Sequence, residues 1–291
     1  YLPDIAIIGN LEFDHADIYA DLAAVQLAFT RLMSVIPRRG LLIAGVESPG
    51  LVEILGRAKS RVATFGLEGA KGASWQAVHV TLSSAGASFD VRHDAEPLGR
   101  IEMSASGNHN VRNALAATIA ALEAGVPFDR VVAAFAAFRG VKRRLELRGE
   151  ARGIFVYDDF AHHPTAVRET VAALRSRIGA GERVVAIFEP RSYTSRTKVF
   201  EGDFAKAFAT ADEVLISAAH LPGKVPEAQR ISEQTLVASI NREGGHARFI
   251  STVDEIVTDQ ARRGRPGDHI LILSNGGFGG IHDKLLAALG V

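Results

Sequence analysis

Apolar and polar positions along the chain switch between two periods. Asp4 to Gly9 (DIAIIG) is a continuous apolar run, as expected of a buried strand. Asp21 to Ile36 carries apolar residues at helical spacing until Pro37 stops it. Gly40 to Val46 predicts a second buried strand, Pro49 to Lys59 a second helix and Arg61 to Phe65 a third strand. This strand–helix order implies a parallel sheet with helical crossovers. Trp75 to Thr81, Ala87 to His93 and Arg100 to Ser104 are alternating or β-branched, with turn residues between them, and predict a small antiparallel patch. Helices are expected from Asn108 to Ala124 and from Pro127 to Phe138, the first with Val111, Leu115, Ile119 and Leu122 as an apolar stripe.

After the basic stretch Phe138 to Arg144 the alternation restarts. Strands are predicted at Ile154 to Tyr157, Val184 to Phe188, Glu213 to Ser217, Ala247 to Ile250 and His269 to Ser274. Helices are expected over 164–178, 198–210, 232–243, 252–264 and 279–289. The expected fold class is α/β in two domains. Residues 1–140 hold a parallel sheet with the antiparallel patch, and 141–291 a doubly wound domain.

Composition narrows the function classes. The 291 residues suit two domains, and 47% are apolar, enough for two cores. Lys plus Arg and Asp plus Glu balance at 33 each, which weighs against a nucleic-acid partner. The absence of cysteine excludes disulfides and thiolate metal sites and fits a reducing cytoplasm. No apolar run reaches the roughly 20 residues of a membrane span. The chain starts at Tyr1 and reads as a piece of a longer protein.

In open α/β sheets ligands gather beyond the carboxyl ends of the strands. Four predicted strand ends carry chemistry. In NLEFDHAD, residues 10–17, acids and His15 suit a divalent cation; Asp17 as a helix cap is the alternative. Asp158, Asp159, His162 and His163 of DDFAHHP crowd four ionisable groups into six residues, and a cap before Pro164 accounts for one. FEPRSYTSRTK offers the forks of Arg191 and Arg196 to an anion, or to solvent. SNGGFGGIH places Ser274, Asn275, Gly276 and Gly277 in a turn that could cradle an anion, without being a dinucleotide fingerprint. His109, Asn110 and Asn113 open a helix, where amides suit a nucleobase edge or simply cap the helix.

These motifs together resemble the Mur ligase superfamily, the ATP-dependent amide-forming enzymes of peptidoglycan synthesis, over nearly the whole chain. NLEFDHAD is similar to its central-domain metal loop, HNVRNALAA to its adenine-contacting helix and GVKRRLE to the start of its C-terminal domain. The resemblance implies a partial P-loop-type central domain and a Rossmann-like C-terminal domain. It implies His15 as a Mg²⁺ ligand, His109, Asn110 and Asn113 at adenine, Arg144 at phosphate and Asp159 at the ribose. It also implies His162 and His163 where amine and phosphates meet, with Arg191, Arg196 and Ser274 to Gly277 around the incoming peptide. FEPRS and PGDHILILSNGGFGGIH look like one branch, which joins UDP-N-acetylmuramate to the recycled tripeptide L-alanyl-γ-D-glutamyl-meso-diaminopimelate through an acyl phosphate. ATP and Mg²⁺ are the implied cofactors and the bacterial cytoplasm the implied location. The P-loop has no match: Gly69 to Lys71 and Gly223-Lys224 do not fit it, so it is expected to precede Tyr1, leaving this piece inactive alone. A ligase that adds L-alanine, a metal-dependent hydrolase built from Asp14, His15, Asp159, His162 and His163, and a non-catalytic peptide-binding module are the competing readings. A nicotinamide enzyme fits less well, because the glycine cluster follows the last strand.

Overall fold

The computed structural model describes residues 2–220 and 225–290, so Gly223 and Lys224 lie outside the described residues. It divides into two compact units, Tyr1–Arg139 and Gly140–Val291.

In the first unit, β1 (Ile5–Ile8), β2 (Leu41–Gly45), β3 (Arg61–Leu67), β4 (Trp75–Ser83), β5 (Gly86–His93) and β6 (Glu96–Met103) form one sheet in that order. Strands β1 to β4 pair in parallel and β4 to β6 antiparallel. The expected antiparallel patch is therefore a continuation of the parallel sheet. Alternation along β2 sends neighbouring residues to opposite faces. Leu42 and Ala44 join Val25 and Met33 of α1 (Leu22–Val35) in one core. Leu41 and Ile43 join Phe65, Phe89 and Ile101, with Leu115 and Ile119 of α3 (Asn108–Glu123), in the other. The helix expected over 49–59 is shorter: α2 spans only Pro49–Val52, and a separate 3-10 turn covers Leu55–Arg57. Gly50 and Gly56 make a continuous helix there costly. A last helix, α4 (Phe128–Ala137), completes the unit.

The second unit holds β7 (Glu146–Ala151), β8 (Ile154–Asp159), β9 (Arg183–Phe188), β10 (Glu213–Ile216), β11 (Ala247–Phe249) and β12 (Asp268–Leu273). Their order is β11-β10-β9-β12-β8-β7, with only β7 antiparallel. Edge strand β7 (ELRGEA) is too polar to read as a strand from sequence. Helices α5 (Pro164–Arg175), α6 (Glu201–Ala207), α7 (Glu233–Arg242), α8 (Val253–Arg263) and α9 (Ile281–Leu289) cover the sheet. Ile154, Val156, Val185, Ile187, Ile270 and Ile272 pack with Ile256 of α8 and Ile281, Leu285 and Leu289 of α9. On the other face the Phe188 ring meets Phe204 and Phe208. The last strand, β12, inserts between β8 and β9. The carboxyl ends of these three neighbours bring Asp159, Ser274 and Glu189 to one edge.

Candidate functional site

Strand β8 does not stop at Tyr157 but runs through both acids. Side chains alternate across a strand, so Asp158 and Asp159 face opposite sides of the sheet. Asp159 faces α5. Its Oδ2 accepts the Leu145 N–H at 2.6 Å, and its Oδ1 accepts the Ala161 N–H at 2.8 Å and the Thr170 hydroxyl at 3.4 Å. It is 3% exposed. Burial pushes its carboxyl above the usual range, against the pull of these N–H groups and of Arg144. Asp159 thus fastens the segment before β7 to the loop after β8.

Asp158 faces α9. Its Oδ1 lies 3.3 Å from His282 Nε2, and its Oδ2 lies 3.3 Å from Arg143 Nε and 3.7 Å from Arg148 Nη1. Burial pushes its pKa up, but His282 and the two arginines outweigh it, and the carboxyl sits below its ordinary value. A carboxylate with a depressed folded-state pKa binds protons less readily folded than unfolded. Its stabilisation is fully present above the ordinary value near 4 and is lost as pH falls through the lower, folded value. The thermal midpoint of the protein should therefore fall through this acid window, and Asp158→Asn should flatten that slope; an equally steep slope in the variant would refute the assignment.

The two arginines of the RR pair separate. Arg143 turns inward and donates from Nη2 to the carbonyls of Ser274 (2.6 Å) and Gly276 (2.7 Å). Arg144 is exposed, with its guanidinium 5.7 Å from the centre of the Phe160 ring. The histidines separate as well. His163 caps α5, its Nδ1 accepting the Thr165 N–H at 3.3 Å ahead of Pro164 at the first helical position. His162 is half-buried, with Nδ1 2.9 Å from the Phe160 carbonyl and its ring edge-on to Phe160.

At the β9 and β12 ends, Ser274 Oγ donates to Glu189 Oε2 and accepts the Gly276 N–H at 2.9 Å. Arg191 Nη1 lies 3.6 Å from Glu189 Oε1. Gly276 lies directly against Arg191: a Cβ there would fall inside the envelope of Arg191 Nε, Cζ and Cδ. Asn275 Oδ1 is buried without a hydrogen-bond partner. Gly277 is exposed and precedes the 3-10 turn Phe278–Gly280. Arg196 is not an outward fork. It is 6% exposed and donates from Nε to the Ser192 carbonyl (3.1 Å) and from Nη1 to the His220 carbonyl (2.9 Å). It frames the loop that carries Arg191.

In the first unit the cap reading of Asp17 is corrected: α1 begins at Leu22 and Asp21 caps it, Oδ1 accepting the Ala24 N–H at 2.8 Å. His15 has a φ of 52° and an exposed side chain whose Nδ1 is 3.9 Å from Asp17 Oδ1. Among the described residues, no three His, Asp or Glu side chains converge as a cation cage. The exposed His15 imidazole can reach a ligand only as a single donor. Asn110 Nδ2 donates back to the Ser106 carbonyl at 2.7 Å, His109 is half-buried, and Asn113 is exposed one turn on.

A pair that sequence reading missed links three elements here. Glu47, just after β2, takes two 2.9 Å bonds from Arg112 of α3 and the Leu67 N–H at 3.0 Å. The Arg112 bonds hold its carboxyl below the usual range, against burial. Arg112 stands between the two asparagines of HNVRN, so its place in the motif was the available signal.

Each of the two α/β units carries polar side chains at the carboxyl ends of its parallel strands, where open α/β sheets bind ligands. Residues 1–121 match the Mur ligase middle domain and residues 143–276 the Mur ligase glutamate ligase domain. The chain belongs to the Mur ligase family. It is 40% identical over 290 residues to the UDP-N-acetylmuramate–L-alanyl-γ-D-glutamyl-meso-2,6-diaminoheptandioate ligase of Escherichia coli K12, covering 99% of this chain and 60% of that one. It is 35% identical over 288 residues to the UDP-N-acetylmuramate–L-alanine ligase of Geobacter sp. strain M21, covering 99% and 61%. Among solved structures, a murein peptide ligase from Psychrobacter arcticus matches with a TM-score of 0.70 at 33% identity, over 100% of this chain and 58% of that one. The chain thus spans about 60% of the length of the curated relatives it matches. No helix among the described residues is long and apolar enough to cross a membrane.

Proposed function

We propose that the protein to which this chain belongs is an ATP-dependent amide ligase. It joins the lactoyl carboxylate of UDP-N-acetylmuramate to the α-amine of L-alanyl-γ-D-glutamyl-meso-diaminopimelate, in the bacterial cytoplasm. The observation that carries this reading is the β9–β12 edge. Arg191 lies against Gly276 beside Ser274 and Glu189, and a guanidinium fork placed there suits a peptide carboxylate. The higher identity to the tripeptide ligase than to the L-alanine ligase supports the choice of amine.

The carboxylate attacks the γ-phosphorus of ATP, ADP leaves, and the amine then displaces phosphate from the acyl phosphate. Arg144, exposed, is free of the structural duties of Arg143 and suits the phosphate charge; Asn110 and Asn113 suit the adenine edge. Asp159 already accepts two N–H groups and the Thr170 hydroxyl, which leaves about one of a carboxylate's roughly four lone-pair sites for the ribose contact that the resemblance implies. Mg²⁺, when bound, would supply neutralisation of phosphate charge, with His15 as one ligand. His162 and His163 hold the loop after β8, so their part is placement of this edge.

The reaction course has a direct test. With heavy oxygen in the lactoyl carboxylate, the full-length protein should release phosphate carrying one labelled oxygen for each amide formed. Amide formation with unlabelled phosphate would rule out the acyl phosphate.

A further inference from the structure

We infer that Arg143 and Asp158 are positioning residues for the glycine-rich loop after β12, acting as a clamp rather than as substrate contacts. The inference rests on reading Arg191 and Ser274 to Gly277 as the pocket for the incoming carboxylates.

Arg143 has a φ of 59°, a left-handed conformation that a non-glycine residue adopts at a cost. The contacts it makes there offset that cost. Its own N–H donates to Glu146 Oε2 at 2.8 Å, and its carbonyl accepts the Phe160 N–H at 2.9 Å. Its guanidinium lies 5.1 Å from the Phe160 ring centre, bridges the Ser274 and Gly276 carbonyls, and meets Asp158 at 3.3 Å. Asp158 is in turn fixed by Arg148 on β7 and His282 on α9. The backbone of Gly276 is therefore held at both of its peptide groups, its N–H by Ser274 Oγ and its carbonyl by Arg143. Gly276 is also the surface on which Arg191 rests. Loosening the clamp would shift that seat without touching any ligand. Lysine cannot replace the fork, since one ammonium does not span two carbonyls and a carboxylate in fixed geometry.

Amide hydrogen exchange and tripeptide titration of the whole chain test this. In Arg143→Ala, exchange at the Gly276 and Gly277 amides should speed up at least about tenfold, with β9 and β12 amides unchanged. Tripeptide Kd should rise at least about tenfold, and Arg143→Lys should not rescue it. Asp158→Asn should act in the same direction, and the double variant should be no worse than Arg143→Ala alone, as expected of one unit. If Arg143→Ala does not fold, the Asp158→Asn exchange rates decide. Wild-type exchange at Gly276 in the folded variants would overturn the clamp, as would full rescue by lysine. A loosened loop in a protein whose wild type binds no tripeptide would leave the clamp standing and overturn the pocket reading instead.

Discussion

Gly276→Ala should abolish most tripeptide affinity while leaving the fold intact. The added methyl would occupy the space of the Arg191 guanidinium, and Arg191 is the member of the pair able to move. It would swing off its seat beside Glu189 and Ser274, and the pocket would lose its fork. A buried charge pair that loses one partner weakens by about 2–5 kcal/mol, and with Arg191 about one-third exposed the lower end, roughly 30-fold in Kd, is expected. Stability should change little, because Gly276 is half-exposed and its neighbours on the loop can relax. Calorimetry and thermal melting on the same sample separate the two effects. Unchanged affinity would mean that Arg191 does not meet the tripeptide.

Asp159→Ala should act in the opposite way, on stability first. It would leave the Leu145 and Ala161 N–H groups and the Thr170 hydroxyl without their acceptor in a buried place. Orphaning a buried donor costs about 1–3 kcal/mol, so even at the low end for all three the second unit should melt at least about 6 °C lower. Leu145 itself has a φ of 50°, a costly conformation that its bond to Asp159 helps to hold. A midpoint within about 1 °C of wild type would contradict the stapling role. Any effect on nucleotide binding should be measured below the melting range of the variant, so that the ribose contact is judged separately.

Much of this was legible in the sequence because the apolar runs are long. DIAIIG, GLLIAGV, VVAIF and HILIL announced parallel strands, and the polar clusters behind VVAIF and HILIL meet at one edge of the second sheet. The losses have physical causes. DDFAHHP was read as a loop because two adjacent acids rarely continue a strand. Here β8 carries both to its end and turns one to each face, where α9 and α5 supply partners. His163 behaves as the local pattern ahead of Pro164 suggested, a cap. The division between Arg143 and Arg144 was beyond reach, since it depends on a positive φ and on carbonyls 131 and 133 residues away. Arg196 looked like an outward fork because its sequence neighbours are polar. The 3-10 turn Thr194–Arg196 buries it.

A tripeptide pocket in this chain is open to calorimetric titration. L-alanyl-γ-D-glutamyl-meso-diaminopimelate titrated into the chain should bind saturably at a single site, with free L-alanine giving no heat beyond dilution. Binding of L-alanine without binding of the tripeptide would contradict the account and assign the chain to the alanine-adding ligases.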